Sequence, residues 1–217
     1  MPVKAVAFDI DGTLYPNATM YLKSLPFVIT HLRFMLAYAG VRKEIRTRRP
    51  VDDLRELEET MLAERLGVSP AAARQRIEAE IYGAWESVLD RVPPYPNVRS
   101  CVQRLRDAGY PVAVTSDFPV EQKLPRLGLD DLFDCKLWTE VSGYLKPHPE
   151  PFLQLADCLG FEPQEILYVG NSYEYDVEGA KRVGMKAAHL TRRPPRDSIA
   201  DFSFSDYRDL CAWVLGS

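Results

Sequence analysis

The 217-residue sequence is poor in the residues that build disulfide frameworks and transition-metal sites, with four cysteines and three histidines. Cys101, Cys135, Cys158 and Cys211 stand far apart among apolar neighbours and form no CxxC pair, which reads as four reduced thiols in a cytoplasmic protein. His31, His148 and His189 make no metal-spaced set, so no histidine is given a catalytic role. Long apolar runs are missing as well. Residues 3–8 are too short a run for a signal peptide and are followed by Asp9 and Asp11, while residues 25–39 contain His31 and Arg33 and fall short of the ~20 residues of a membrane span. No sign of charge dominates: 27 basic against 31 acidic residues give −4, without the strongly basic face of a nucleic-acid binder. The length suits one domain with a large insertion, or two small ones.

Two kinds of periodicity are present. Residues 3–8 read as a buried strand ended by Asp9-Ile10-Asp11-Gly12-Thr13, which places acidic groups at a strand's carboxyl end. Between residues 21 and 89 the period is helical: Leu22, Leu25, Ile29, Leu32 and Leu36 recur every three or four, as do Leu54, Leu57 and Met61. Ser69-Pro70 predicts a helix start, after which Ile77, Ile81, Ala84, Trp85 and Val88 mark one buried stripe. A stiff linker over residues 91–96 closes this block. Helices then alternate with strands, over 97–108, 111–115, 120–127, 135–139, 149–159, 166–169, 176–183 and 186–190, with a short strand in 200–204 and a closing helix over 207–215. Pro125 predicts that the helix near 120–127 is short or irregular. The alternation predicts a parallel α/β sheet.

Four predicted strand ends carry polar clusters: Asp9-Ile10-Asp11-Gly12-Thr13, Thr115-Ser116-Asp117, Lys146-Pro147-His148-Pro149 and Gly170-Asn171-Ser172 with Asp176. Together they resemble the four ordered motifs of the haloacid dehalogenase-like hydrolase superfamily. The resemblance implies a three-layer Rossmann-like core, residues 1–16 and 94–217, interrupted by an all-α cap, residues 17–93. It further implies a Mg²⁺-dependent phosphatase in which Asp9 attacks phosphorus and Asp11 serves the leaving group and the hydrolytic water. Lys146 and Ser116 would bind the phosphate, with Asp117 beside them, and Asp9, Asp11, Asp176 and Asn171 would hold the metal. The expected partner is a small phosphorylated metabolite, with no nucleic acid and no membrane span, and the protein is expected as a monomer or homodimer.

Elementary chemistry supports the same reading. Two carboxylates two residues apart on an extended backbone can share one cavity, repel one another there, and suit a hard cation such as Mg²⁺. Dehalogenation releases halide, which needs no proton, whereas ester cleavage releases an alkoxide that does, so Asp11 favours a phosphatase over a metal-independent dehalogenase. Each residue also has a plainer reading: the acidic pair as a turn or cap, Lys146 as a solvated loop residue, Ser116-Asp117 as a helix cap. A folded protein that binds a phosphorylated ligand or a partner without turnover is the non-catalytic alternative. Two positions depart from the family pattern. Asn171 replaces an expected carboxylate, and Asp117 replaces an expected amide, so Asp117 either compensates for Asn171 or faces solvent. Tyr15 and Asn17 stand at the entry to the cap and read as gate or substrate-contact residues, with an ordinary hinge as the alternative. The basic cluster Arg42, Lys43, Arg46, Arg48 and Arg49 reads as a solvated face, with attraction of anionic substrates or contact with an acidic membrane as the alternatives.

Overall fold

The computed structural model describes residues 2–216. Six strands, Ala5–Asp9 (β1), Val112–Ser116 (β2), Cys135–Trp138 (β3), Ile166–Gly170 (β4), Lys186–Leu190 (β5) and Phe202–Phe204 (β6), form one parallel sheet in the order β3-β2-β1-β4-β5-β6. The nine α-helices among the described residues are Asn17–Thr30 (α1), Leu32–Ile45 (α2), Leu54–Leu66 (α3), Pro70–Arg76 (α4), Val98–Asp107 (α5), Lys123–Leu127 (α6), Pro149–Leu159 (α7), Glu178–Arg182 (α8) and Tyr207–Leu215 (α9). The predicted alternation after the linker is therefore observed, and α6, which contains Pro125, is only five residues long.

Strand periodicity builds the layers. Val6 and Phe8 point to one face and pack with Val102 and Leu105 of α5 and Leu210 of α9. Ala5 and Ala7 point to the other, against Phe152 and Leu155 of α7 and Ala180 of α8. The order of strands reverses between β1 and β4, so the connections leaving these two strands run to opposite faces and open a crevice at their carboxyl ends. Asp9 ends β1 and Gly170 ends β4, which puts both in that crevice.

Between β1 and β2 the chain is helical throughout its regular structure, and Phe34, Tyr38 and Val41 of α2 meet Leu62 of α3 and Ile77 and Ile81 in an apolar cluster that Leu145 joins from the sheet side. Ser69 caps α4 by accepting from Ala72 N at 3.2 Å, and Pro70 opens it, as the sequence predicts.

Three expectations change. Cys135 of β3 and Cys158 of α7 are joined by a disulfide, because α7 packs back over β3 and brings together residues 23 apart in sequence; only Cys101 and Cys211 are free, and both are buried. The stripe expected from Ile77 to Val88 is broken. Residues Ile77–Trp85 wind as a π-helix and Glu86–Arg91 as a 3₁₀-helix, which shifts the phase so that Ala84 is exposed and Glu86 is buried. Leu22, Leu25, Ile29, Leu32 and Leu36 are helical as predicted, yet they are 50–69% exposed; the opposite face of α2 is the one that meets α3. Among the described residues no single helix is long and apolar enough to cross a membrane, and α1 and α2 meet at a 117° bend.

Candidate active site

The crevice is built from residues that follow β1, β2 and β4 and from the loop before α7. Gly12 makes the first turn possible: its φ is +89°, and a Cβ there would lie 2.2 Å from the Asn17 side chain and 2.7 Å from that of Asn171. The chain then returns so that the Thr13 hydroxyl lies 2.8 Å from Asp9 Oδ2 and 3.1 Å from Asn171 Oδ1. Gly170 is required for a different reason, since a Cβ would lie 2.3 Å from the Asp176 side chain.

Asp9 and Asp176 are both buried and share one cation. Lys146 Nζ donates to Asp9 Oδ1 at 2.7 Å and to Asp176 Oδ1 at 2.7 Å, and reaches the Tyr168 hydroxyl at 3.2 Å. Asp176 Oδ2 accepts from Ser172 N at 2.9 Å. Burial, reinforced by the nearby Asp176 and Asp11 charges against the opposing pull of Lys146, raises the Asp9 carboxyl to about 7. Burial alone would lower the Lys146 ammonium, but Asp176 and Asp9 hold it well above its ordinary value.

Asp11 takes no part in that cluster. Its carboxylate accepts from the Tyr15 hydroxyl at 2.6 Å, the Ser116 hydroxyl at 2.5 Å, and Lys123 Nζ at 2.7 and 2.8 Å. Burial works against ionisation here, yet the Lys123 charge and these hydrogen bonds hold Asp11 below the usual carboxylate range. Lys123 is buried and was not singled out in the sequence. It lies 112 residues from Asp11, on the short helix that follows β2, and no local pattern marks it.

Asp117 departs from the expected phosphate contact. Its carboxylate is committed to Arg46 at 2.6 Å and to the Thr139 hydroxyl at 2.8 Å, and these cationic and hydrogen-bonding partners outweigh burial and hold it well below the usual range. Asp117 is buried in the wall of the same cavity as Asn171, so it does not face solvent. The basic cluster is likewise not one solvated face. Arg42 is buried, pairs with Glu58 at 2.9 Å and with Glu140, and donates to the Asp117 carbonyl; Arg46 donates to the Lys146 carbonyl and lies 4.3 Å over the Tyr175 ring. Arg48 and Arg49 remain exposed.

Asp9, Asp11, Asp117, Lys146, Asn171 and Asp176 line one cavity of about 340 Å³; Ser116 is completely buried behind it, with its hydroxyl on Asp11. Among the described residues no three carboxylate, imidazole or thiol side chains form a closed metal cage. The oxygen donors of Asp9, Asn171 and Asp176 nevertheless line the same cavity, with Lys146 between the two carboxylates. An open, all-oxygen site of this kind fits Mg²⁺, which usually keeps several waters.

Comparison with known proteins agrees with this geometry. The model of the haloacid dehalogenase-like hydrolase family matches residues 3–184, and the chain belongs to that family. It is an enzyme of the phosphoric monoester hydrolase kind. Glyceraldehyde 3-phosphate phosphatase of Methanopyrus kandleri is 30% identical, with 96% of this chain and 95% of that protein aligned. Phosphoglycolate phosphatase of Haemophilus influenzae is 28% identical over 95% and 96%. The crystal structure of a HAD phosphatase from Thermococcus onnurineus superposes with a TM-score of 0.64 at 30% identity, covering 99% of this chain and 98% of that one.

Proposed function

We propose that the protein is a Mg²⁺-dependent phosphatase that hydrolyses a small phosphate monoester through an aspartyl-phosphate on Asp9, with residues 1–16 and 94–217 as the catalytic core and 17–93 as the cap. The observation that carries this reading is the pairing of Asp9 with Lys146 and Asp176 at the topological switch of the sheet, with Asp11 two residues on in the same cavity.

An Asp9 carboxylate oxygen attacks phosphorus, and the bond from phosphorus to the substrate alcohol oxygen breaks. Lys146 places positive charge beside the nucleophile and the phosphoryl oxygens, and the Ser116 hydroxyl can turn from Asp11 to the phosphate. Asp11 delivers a proton to the departing alkoxide; in the second half it takes a proton from the water that attacks the aspartyl-phosphate and frees inorganic phosphate. The ionised state that Lys123 imposes suits this second half. In the first half, the dianionic phosphoryl group is the nearby negative charge that raises the proton affinity of Asp11. Asp9, Asp176, Asn171 and the Asp11 main-chain carbonyl would hold Mg²⁺, which when bound supplies the positive charge that offsets the acidic cluster and the phosphoryl oxygens.

The test is inorganic phosphate release from a panel of phosphorylated metabolites, with and without Mg²⁺, for the parent protein and Asp9→Asn. The expected result is Mg²⁺-dependent turnover that Asp9→Asn abolishes. Turnover persisting in that variant overturns the assignment of the nucleophile, and halide release from a 2-haloacid without metal supports the dehalogenase alternative.

A further inference from the structure

Beyond the phosphoryl end, the cavity changes character. Met20 and Tyr21 of α1 and Trp85 come from the helical block, while Phe118 comes from the loop after β2 and Tyr175 from the helical turn after β4. Trp85 and Phe118 meet edge to face with ring centroids 6.0 Å apart and planes at 76°. The indole N–H donates to the buried Ser24 hydroxyl at 2.9 Å, which fixes the plane of the Trp85 ring before any ligand arrives. The wall that would receive the alcohol part of a substrate is therefore aromatic and preorganised.

The charges around the same cavity point the same way. Four carboxylates line it, Asp9, Asp11, Asp117 and Asp176, and the cations beside them all have acidic partners: Lys146 with Asp9 and Asp176, Arg46 with Asp117, and Lys123, buried behind the wall, with Asp11. One Mg²⁺ and the phosphoryl dianion add no net charge. A second anionic group on the substrate, such as the carboxylate of a glycolate ester, would have to displace Asp117 from Arg46 or be desolvated without a partner. The volume of about 340 Å³ falls within the ~300–1,000 Å³ of pockets that enclose whole ligands.

We infer that this site, read as the phosphatase proposed above, selects phosphate monoesters of neutral alcohols that carry a flat ring, and selects against monoesters bearing a second negative charge. Trp85 and Phe118 are the specificity-determining residues, gripping the ring by its faces and edges. The relatives named for phosphoglycolate and glyceraldehyde 3-phosphate would then differ from this protein in substrate while sharing its phosphoryl chemistry.

Three esters of primary alcohols separate the pocket from the chemistry: 2-phenylethyl phosphate, glycerol 3-phosphate and 2-phosphoglycolate, each assayed for phosphate release with saturating Mg²⁺. The expected kcat/KM for the phenylethyl ester exceeds that for phosphoglycolate by roughly tenfold or more, with the glycerol ester between them. Phe118→Leu, which keeps an apolar side chain but removes the ring, is expected to lower the phenylethyl-to-glycerol ratio several-fold, and Trp85→Leu to do the same. Equal or better turnover of phosphoglycolate overturns the inference, as does a fall in which either variant slows all three esters alike. Turnover of glycerol 3-phosphate without a preference for the ring therefore leaves the phosphatase reading standing and removes this one. Absence of Mg²⁺-dependent turnover with all three esters counts against the phosphatase reading itself and takes this inference with it.

Discussion

The Lys123 ammonium touches both oxygens of Asp11 while the Tyr15 and Ser116 hydroxyls hold the same carboxylate, so one side chain is oriented from three directions in a buried setting. Lys123 also donates to the Ser116 hydroxyl at 3.2 Å and serves as a positioning residue acting through Asp11. Lys123→Met keeps the unbranched chain and removes the charge. The expected result is a fall in kcat of about tenfold or more on glycerol 3-phosphate and a much smaller fall on 4-nitrophenyl phosphate, whose phenolate leaves without a proton. Equal losses on both esters would show that Lys123 only supports the fold. Asp9 and Asp11 were legible because they close a strand and open the turn after it, and Ser116, Lys146 and Asp176 because they stand in motifs that follow in a set order. Lys123 was not. Its partner is reached only through the parallel pairing of β1 with β2, which the local sequence does not encode in any readable pattern.

The helix α2 carries the main link between the helical block and the sheet. Arg42 bridges Glu58 of α3, Glu140 in the short turn after β3, and the Asp117 carbonyl after β2, while Arg46, one turn on, takes the Asp117 carboxylate. Because Arg42, Glu58 and Glu140 are all buried, removal of the guanidinium strands two carboxylates in a poorly solvated place. Arg42→Ala is expected to lower unfolding free energy by about 3–5 kcal/mol, read from urea denaturation of parent and variant. A loss below about 1 kcal/mol would reduce the bridge to a surface ion pair in its energetic effect. The sequence showed α2 as helical and its end as basic, but composition favours a solvated face for any dense run of arginines. Only the pairing with Glu140 and Asp117, which lie far along the chain, turns two of them inward. The same limit applies to the leucines of α1 and α2: periodicity identifies an apolar face, and the neighbour that would cover it is a matter of tertiary packing.

At the scale of the whole molecule, the net charge of −4 averages two unlike regions. Residues 12–43 contain Lys23, Arg33, Arg42 and Lys43 and no acid, whereas the cavity at the centre of the sheet gathers Asp9, Asp11, Asp117 and Asp176. Burial is the main reason the Asp9 carboxyl is raised to about 7, and the neighbouring Asp176 and Asp11 charges add to it while Lys146 offsets only part. A divalent cation that binds the folded site and not the unfolded chain offsets the remainder, and its binding energy adds to global stability by about 2.7 kcal/mol at a hundred times its Kd. For a chain of this size that corresponds to a rise in Tm of roughly 5–10 °C. Thermal unfolding followed by circular dichroism in EDTA and in increasing MgCl₂ measures the rise without any substrate. Asp9→Asn removes the negative charge of one of the proposed donors and is expected to shrink the Mg²⁺-dependent increment, whatever it does to stability in EDTA. If the increment is the same in parent and variant, the cation is stabilising the protein somewhere other than the switch of the sheet.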